Sequence, residues 1–169
     1  MRGYFGVGVE GISKSYNLGA VLRTANAFGA SFAFTIGATN KALEIRRTDT
    51  SRSDLHMPFY EWESAEELIL PRGCQLVGVE LTEDAIDLPS FRHPTNCAYI
   101  LGPEKGSLSD ELQSRCDHLV KIPTKFCINV SLAAALALYD RTIMMGGYPD
   151  RPVKVGGPDK SWTRPKRTR

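Results

Sequence analysis

Residues 99–109 have the sequence YILGPEKGSLS, and this stretch indicates how the chain is built. The apolar run 99–101 predicts a buried strand. It is followed by a Gly-Pro turn, by the carboxylate of Glu104, and then by a second glycine and serines that suit the start of a helix. Strands that lead through such turns into helices are typical of α/β proteins with parallel sheets. Their ligands bind at the carboxyl ends of the strands, which makes Glu104 a candidate site residue.

Two further stretches have the same organisation. SYNLGAVLRTA (residues 15–25) follows a strand predicted at residues 4–10, and its apolar residues recur at helical spacing. KIPTKFCINVSLAAA (residues 121–135) leaves a strand predicted at residues 118–122 and enters the longest predicted helix, from Asn129 to Met145. Polar residues again follow a strand in both stretches, so we expect all three stretches to meet at one edge of the sheet.

The remaining pattern completes a mostly parallel α/β sheet flanked by helices. Further strands are predicted at residues 31–36, 59–61, 75–80 and 97–101, and a helix near Ser107. The capping box Ser64–Glu67 predicts a short helix that ends at Pro71. Residues 38–58, which include Arg46, Arg47 and Arg52, are predicted to be a mostly irregular surface excursion. We divide the chain into one domain, residues 1–148, and an extended basic tail, residues 149–169.

The composition is that of an ordinary globular protein. Of the 169 residues, 42% are hydrophobic and 24% are charged, a balance typical of globular domains. No apolar run approaches the roughly 20 residues that span a bilayer, and the first residues do not resemble a signal peptide. We therefore expect a cytoplasmic protein without a membrane partner.

Cysteines and basic residues indicate less about function. The four cysteines, Cys74, Cys97, Cys116 and Cys127, form no CxxC pair; we expect reduced thiols, with Cys74 and Cys97 in the core, and no metal site.

From Lys160 onward the tail carries five basic residues around Trp162 and no acid. Such a tail is either an RNA-binding segment that contacts phosphates and bases or a solvated terminus.

A possible dinucleotide-binding fingerprint lies at residues 6–11, GVGVEG. In a Rossmann protein this pattern follows a strand and opens a helix directly. Here the glycines fall inside the predicted strand, and the helix begins near Asn17. We therefore expect these glycines to serve the sheet and not a dinucleotide.

In their order along the chain, the three strand-end stretches resemble the three motifs of the SpoU/TrmH family of SPOUT RNA methyltransferases. Residues 17–25 are similar to N-x-G-x-x-x-R-T-A, and residues 102–109 to G-P-E-x-x-G-L-S with one serine inserted. Residues 122–133 resemble I-P-M-x-G-x-x-x-S-L-N-V-S-x-A. The resemblance covers roughly residues 4–145, and three motifs in one order are far more specific than any one of them.

The resemblance implies a single SPOUT domain whose C-terminal part is threaded into a deep trefoil knot, a rare exception among protein folds. It implies a homodimer with the active site at or near the interface. The implied reaction transfers a methyl group from S-adenosylmethionine to a ribose 2′-hydroxyl of RNA, with transfer RNA favoured over ribosomal RNA as the substrate.

The resemblance also implies which residues act. Arg23 is the expected principal catalytic residue, supported by Asn17, Glu104 and Asn129. The resemblance leaves two roles open for Arg23: a base assisted by the RNA phosphate, or a cation that holds the phosphate and stabilises the developing alkoxide. The methyl donor is expected to bind, largely through backbone groups, at Glu80, Leu81, Leu101, Gly102, Pro103, Gly106, Ile122, Ile128, Ser131 and Ala133.

The third motif departs from the family pattern in two ways. Only three residues separate Pro123 from Cys127, about three fewer than the family has, and Cys127 stands where the family usually has serine. A thiol is a weaker hydrogen-bonding group than a hydroxyl. Because neither departure touches Arg23, Glu104 or Asn129, we expect an active methyltransferase. The shortened loop leaves a silent RNA-binding domain of the same fold as an alternative, and an unrelated Rossmann-like oxidoreductase that binds NAD is a third.

Overall fold

The computed structural model describes residues 3–48, 57–153 and 155–158. Within them the chain forms seven strands and four α-helices. The strands are β1 (Phe5–Glu10), β2 (Phe32–Ile36), β3 (Phe59–Trp62), β4 (Gln75–Val79), β5 (Ile86–Asp87), β6 (Cys97–Leu101) and β7 (His118–Lys121). The helices are α1 (Ser15–Phe28), α2 (Asn40–Thr48), α3 (Asp110–Arg115) and α4 (Val130–Met145).

The strands form one parallel sheet in the order β3-β2-β1-β6-β4-β7-β5. Leu101 at the end of β6 is in register with Val9 on one side and Val79 on the other. Val79 is in register with Val120 of β7. The carboxyl ends of β1, β6, β4 and β7 therefore lie side by side, and the segments that follow them meet at one edge of the sheet. The predicted mostly parallel α/β sheet is confirmed.

Side chains alternate between two buried faces of the sheet, as strand geometry requires. Val7 and Tyr99 belong to the core that includes residues of α1 and α4. Phe34 and Ile100 point to the opposite core, which includes Leu112 of α3. Sequence periodicity predicted α1 and α4 well because each buries a stripe of small and aliphatic residues against the sheet.

The two glycines of β1 provide room for aromatic rings. A Cβ atom on Gly6 would overlap the ring of Phe32, and one on Gly8 would overlap the ring of Phe34. Both phenylalanines lie on the neighbouring strand β2, in register with these glycines. The GVGVEG stretch thus packs the sheet, as the sequence predicted.

The predicted irregular excursion at residues 38–58 is wrong in its first half, which contains α2. Thr39 starts this helix, because its hydroxyl accepts a hydrogen bond from the backbone of Ala42 at 3.3 Å and its carbonyl accepts one from Leu43 at 3.2 Å. Ala42 is fully buried. The helix was missed because charged residues dominate its sequence. Residues 49–56, including Arg52, lie outside the described residues.

The helix predicted to open at Ser64–Glu67 is also wrong, because this segment forms turns. Arg115 of α3 donates hydrogen bonds to the carbonyl oxygens of Ala65 and Leu68. Glu67 accepts a hydrogen bond from the backbone of Glu63 at 3.0 Å, one residue before the position that a capping box would use. Tertiary contacts thus occupy the carbonyls that a helix would need for itself.

Smaller differences concern element ends and one short strand. The helix expected near Ser107 begins at Asp110, where the side chain of Ser109 caps it by accepting from Leu112 at 3.3 Å. The two-residue strand β5 was not predicted. It pairs with β7, so that β7 lies between β4 and β5 although it follows both in the chain. No helix in the described part of the chain is long and apolar enough to cross a membrane.

Candidate active site

A cavity of about 280 Å³ opens where the segments after β4, β6 and β7 meet the start of α1. This volume is near the lower end of the range for small-molecule sites. Of the residues expected to bind the methyl donor, all except Ser131 line it: Glu80, Leu81, Leu101, Gly102, Pro103, Gly106, Ile122, Ile128 and Ala133. Three of the expected catalytic residues, Asn17, Glu104 and Asn129, line it as well.

Glycine is required where the cavity wall turns after β6. A Cβ atom on Gly102 would lie 3.1 Å from the backbone nitrogen of Leu108 and 3.3 Å from a carboxylate oxygen of Glu80. Gly106 has φ of 98°, a conformation that residues with side chains rarely adopt. The turn after β6 therefore passes close to Glu80 and Leu108 at Gly102 and takes a left-handed conformation at Gly106.

The carboxylate of Glu80 joins two segments of the wall. It is almost fully buried and accepts hydrogen bonds from the backbone of Leu81 at 3.0 Å and of Leu108 at 2.7 Å. The sequence suggested only that the end of β4 would face the donor. This bridge between the segments after β4 and β6 carried no sequence signal, because Leu108 is 28 residues away.

The carboxylate of Glu104 accepts hydrogen bonds from residues at the start of α1. Its two oxygens accept hydrogen bonds from the backbone of Ser13 at 3.1 Å, the hydroxyl of Ser13 at 2.9 Å and the backbone of Lys14 at 2.9 Å. The side-chain amide of Asn17 donates a fourth at 3.2 Å. Such a saturated carboxylate orients its neighbours and has little capacity left to take up a proton.

The same contacts decide the ionisation of Glu104. Burial raises the pKa of this carboxyl, but the hydrogen bonds from Asn17, Ser13 and Lys14 together outweigh burial and leave the pKa below its ordinary value. Glu104 is therefore a carboxylate at neutral pH, and it places a fixed negative charge at the cavity wall.

Asn129 extends this network to α4. Its amide donates to the side-chain oxygen of Asn17 at 3.1 Å, and its own oxygen accepts from the backbone of Ser131 at 2.9 Å and from its hydroxyl at 2.7 Å. Ser131 does not line the cavity, but it holds Asn129 in place. Three of the four expected catalytic residues thus form one hydrogen-bonded chain.

Arg23, the fourth, is not part of this cluster. Its side chain is exposed, and it does not line the cavity. It lies six positions after Asn17, about 9 Å along the helix axis. It shares the outward face of α1 with Tyr16 and Ala27, which are also exposed. Within one copy of the chain, Arg23 lies on the same face as the lining residue Tyr16 but beyond the cavity itself.

Several lining residues were not expected from the sequence. Lys14 and Tyr16, which come just before Asn17 in the chain, line the cavity. Thr124 and Cys127 of the shortened third-motif loop line it as well. The departures noted in that loop therefore lie on the wall itself. Neither Lys14 nor Tyr16 belongs to the motif pattern, so only the structure reveals them.

The cavity suits an amphipathic small molecule. Leu101, Ile122, Ile128 and Ala133 provide apolar surface, and the surrounding turns provide backbone donors and acceptors. Among the described residues, no group of histidine, cysteine or acidic side chains could hold a metal ion. A pocket at the carboxyl end of a parallel sheet, with apolar walls and a few oriented polar groups, defines an α/β protein that binds a small molecule.

Residues 5–139 match the sequence model of the SpoU rRNA methylase family. The chain belongs to this family. The Rossmann-like oxidoreductase alternative is therefore rejected, and the resemblance carried by the three motifs is confirmed.

Similar proteins include enzymes that act on different RNAs. The chain is 29% identical over 158 residues to the tRNA (guanosine(18)-2′-O)-methyltransferase of Thermus thermophilus, covering 85% of this chain and 78% of that protein. It is 28% identical over 151 residues to the 23S rRNA (guanosine-2′-O-)-methyltransferase RlmB of Acinetobacter baylyi, covering 78% of this chain and 56% of that protein. The crystal structure of an AdoMet-bound rRNA methyltransferase from Sinorhizobium meliloti has a TM-score of 0.74 at 25% identity, covering 86% of this chain and 58% of that one. The chain thus spans little more than half the length of the last two.

Proposed function

We propose that this protein methylates a ribose 2′-hydroxyl of RNA with S-adenosylmethionine as the methyl donor. The observation that carries the proposal is the hydrogen-bonded chain Glu104–Asn17–Asn129 on the wall of a cavity built from all three motif segments. A silent RNA-binding domain would have no need to keep these polar groups oriented around a pocket. The ribose methyltransferases among the relatives support the same activity.

The donor is proposed to lie in the cavity. The turns after β6 and β7 would hold its polar groups through backbone atoms, and Leu101, Ile122 and Ile128 would contact its apolar surface. The sulfonium charge of S-adenosylmethionine supplies an already activated methyl group. The chain itself therefore has to orient the acceptor hydroxyl in line with that group and to manage one proton.

Arg23 is proposed to act on the RNA rather than on the donor. A guanidinium stays protonated at neutral pH, which makes it a natural partner for a phosphate and for the developing alkoxide. Its exposure on the outward face of α1 supports this role. The four hydrogen bonds accepted by Glu104 support a positioning role for that residue, with Asn17 and Asn129 held beside the reacting groups.

A homodimer is proposed because α4 carries an apolar stripe on its outer side. Leu132, Leu136, Tyr139 and Ile143 are all exposed, with Leu132 at 58% and Tyr139 at 54%. Their spacing of four, three and four residues places them on one face of the helix. A second copy would cover this stripe, and the neighbouring helix α1 would bring Arg23 to the rim of the interface.

The C-terminal trefoil knot is proposed from the order of the strands. β7 lies between β4 and β5, which residues 80–85 connect. Lys121 at the end of β7 donates to the carbonyl oxygens of Thr82 at 3.1 Å and Glu83 at 2.8 Å in that connection. The chain after β7 then continues to α4. If this part of the chain is threaded through the loop formed by residues 80–85, the contacts of Lys121 are accounted for.

Transfer RNA is the proposed substrate, with ribosomal RNA as the second candidate, because the relatives include enzymes named for each. The basic tail from Lys160 is proposed to contribute to RNA capture, and it lies outside the described residues. The division of the chain after residue 148 into domain and tail stays a prediction. The cytoplasmic location also stays a prediction.

Transfer of tritiated methyl groups from S-adenosylmethionine to unmodified transfer RNA tests the proposal. We expect incorporation that is resistant to removal of divalent metal and is located on a ribose after digestion. Absence of donor binding in calorimetry would instead favour the silent RNA-binding domain, whereas donor binding without transfer to transfer or ribosomal RNA would mean that the substrate is another RNA.

A further inference from the structure

Two aromatic side chains are unusually exposed beside the cavity. Tyr16 is 61% exposed and lines the cavity, and Phe126 is 74% exposed in the loop between the lining residues Thr124 and Cys127. Large aromatic side chains usually bury most of their surface. Neither residue belongs to the hydrogen-bonded chain described above, and neither has a role in the proposed chemistry so far.

Both aromatic residues lie on segments that are held in place. Tyr16 precedes Asn17, which is almost fully buried and bonded to Glu104 and Asn129. Phe126 precedes Asn129 by three residues, on the short segment that enters α4. The Asn17–Asn129 hydrogen bond therefore joins the two segments that present these rings. Both rings are thus carried by segments that line the same cavity.

Lysines neighbour both rings, Lys14 in space and Lys125 in the sequence. The ammonium group of Lys14 lies 5.8 Å from the centroid of the Tyr16 ring. Lys105 and Lys125 are exposed on the turns after β6 and β7. Aromatic rings interleaved with lysines suit nucleic acid, because bases stack on the rings while the cations neutralise phosphates. An apolar protein partner would gain nothing from these charges.

We propose that Tyr16 and Phe126 form a stacking site for the base of the nucleotide that is methylated. The inference rests on the proposed function: a ribose whose 2′-hydroxyl faces the cavity carries its base at the entrance, where the two rings are exposed. Stacking is tolerant of base identity. The site thus positions the target nucleotide and leaves the choice of base to other contacts.

The test compares Tyr16→Ala, Phe126→Ala, the double variant and Tyr16→Phe with Tyr60→Ala. Tyr60 is also about half exposed, but it lies on the edge strand β3 away from the cavity. Three quantities are measured for each: the KM for unmodified transfer RNA, the Kd for S-adenosylmethionine by calorimetry, and the mass in solution by light scattering. A single-stranded RNA containing 2-aminopurine reports stacking directly, by quenching of its fluorescence.

Each alanine variant should raise the KM for RNA by about tenfold, with a larger effect for the double variant. The mass should not change in any variant, and Phe126→Ala should keep the wild-type donor affinity, because Phe126 does not line the cavity. Tyr16→Phe should keep the wild-type KM for RNA, because it retains the ring, and Tyr60→Ala should behave as wild type. Full activity of the double variant would overturn the inference. A loss of the dimer in Tyr16→Ala would also overturn it, because the ring would then be covered by a second copy.

The two proposals fail in different ways. Wild-type protein that transfers no methyl group, yet quenches 2-aminopurine through Tyr16 and Phe126, would contradict the proposed reaction and retain the stacking site. Wild-type protein that methylates RNA without any quenching that depends on these rings would retain the reaction and remove the stacking site.

Discussion

The side-chain amide of Asn129 donates a hydrogen bond across 3.1 Å to the side-chain oxygen of Asn17, 112 residues earlier in the chain. Asn17 in turn donates to Glu104 at 3.2 Å. The amide of Asn17 thus accepts on one side and donates on the other, which a carboxylate could not do. Asn17 therefore links the starts of α1 and α4, which lie on two sides of the cavity.

Asn17→Asp should therefore damage the site although it preserves the shape of the side chain. It places a second carboxylate against Glu104, where the amide used to donate. We expect a loss of about 1–3 kcal/mol in unfolding free energy and at least a tenfold weaker affinity for S-adenosylmethionine. Urea denaturation and calorimetry measure the two effects.

Asn26→Asp is the matched control, because it makes the same change near the other end of the same helix. Its side chain is half-buried and does not line the cavity. A negative charge in the last turn of a helix lowers stability slightly, but donor affinity should stay unchanged. If both variants bind the donor as tightly as wild type does, the Asn17 bridge has no part in shaping the cavity.

The contrast between Asn17 and Glu80 shows how far the sequence leads. Asn17 was predicted because it belongs to a motif, and the parallel order of the strands explains why motifs far apart in the chain meet at one edge. The carboxylate bridge of Glu80 to Leu108 was not predicted, because nothing local marks a hydrogen bond between residues 28 positions apart. Local propensity also failed at Ala65, whose carbonyl is taken by Arg115. Long-range partners override local pattern in both cases.

Arg23 provides a second prediction, because it is exposed and does not line the cavity of its own chain. If it acts across the interface of the proposed dimer, two inactive variants should complement each other. Arg23→Ala keeps an intact cavity, and Asn129→Ala keeps an intact Arg23. We expect co-expression of the two to restore about a quarter of wild-type transfer, since half of randomly formed symmetric dimers are mixed and each has one complete site.

The control is co-expression of tagged and untagged Arg23→Ala, which should stay inactive. Mixed dimers purified through two different tags that show no methyl transfer would place Arg23 with the cavity of its own chain.

The thiol of Cys127 should be the first to react with alkylating agents. It lies exposed on the cavity wall, whereas burial raises the pKa of Cys74 to about 11 and that of Cys116 to about 12. Cys97 is fully buried. We expect iodoacetamide at pH 8 to modify Cys127 selectively and to abolish donor binding, because the added group occupies the cavity. Mass spectrometry of the digested protein locates the modification.

Saturating S-adenosylmethionine should slow this alkylation, and Cys127→Ser should bind the donor normally and resist inactivation. Equal alkylation rates with and without the donor would mean that the donor does not bind beside the shortened third-motif loop.

His93 makes the stability of the protein depend on pH. Its ring contacts the hydroxyl of Tyr99 and lies 2.9 Å from the carboxylate of Asp140. Burial lowers the pKa of His93, and nearby Arg141 lowers it further, while Asp140 only partly opposes this shift. The unfolded chain therefore binds a proton near pH 6.5 that the folded chain takes up only at lower pH. The contribution of His93 to the free energy of unfolding is fully present above that pH. It is lost as the pH falls towards the pKa of His93 in the folded protein.

Urea unfolding between pH 7.5 and 5.5 measures this loss. His93→Gln should unfold more easily at pH 7.5, because the contacts to Tyr99 and Asp140 weaken, and its unfolding free energy should change less with pH than that of wild type. His118→Gln is the matched control, since His118 lies on β7 with its ring 5.3 Å from that of Phe91 and should keep the wild-type slope. A slope that is the same in wild type and His93→Gln would mean that His93 does not cause the pH dependence.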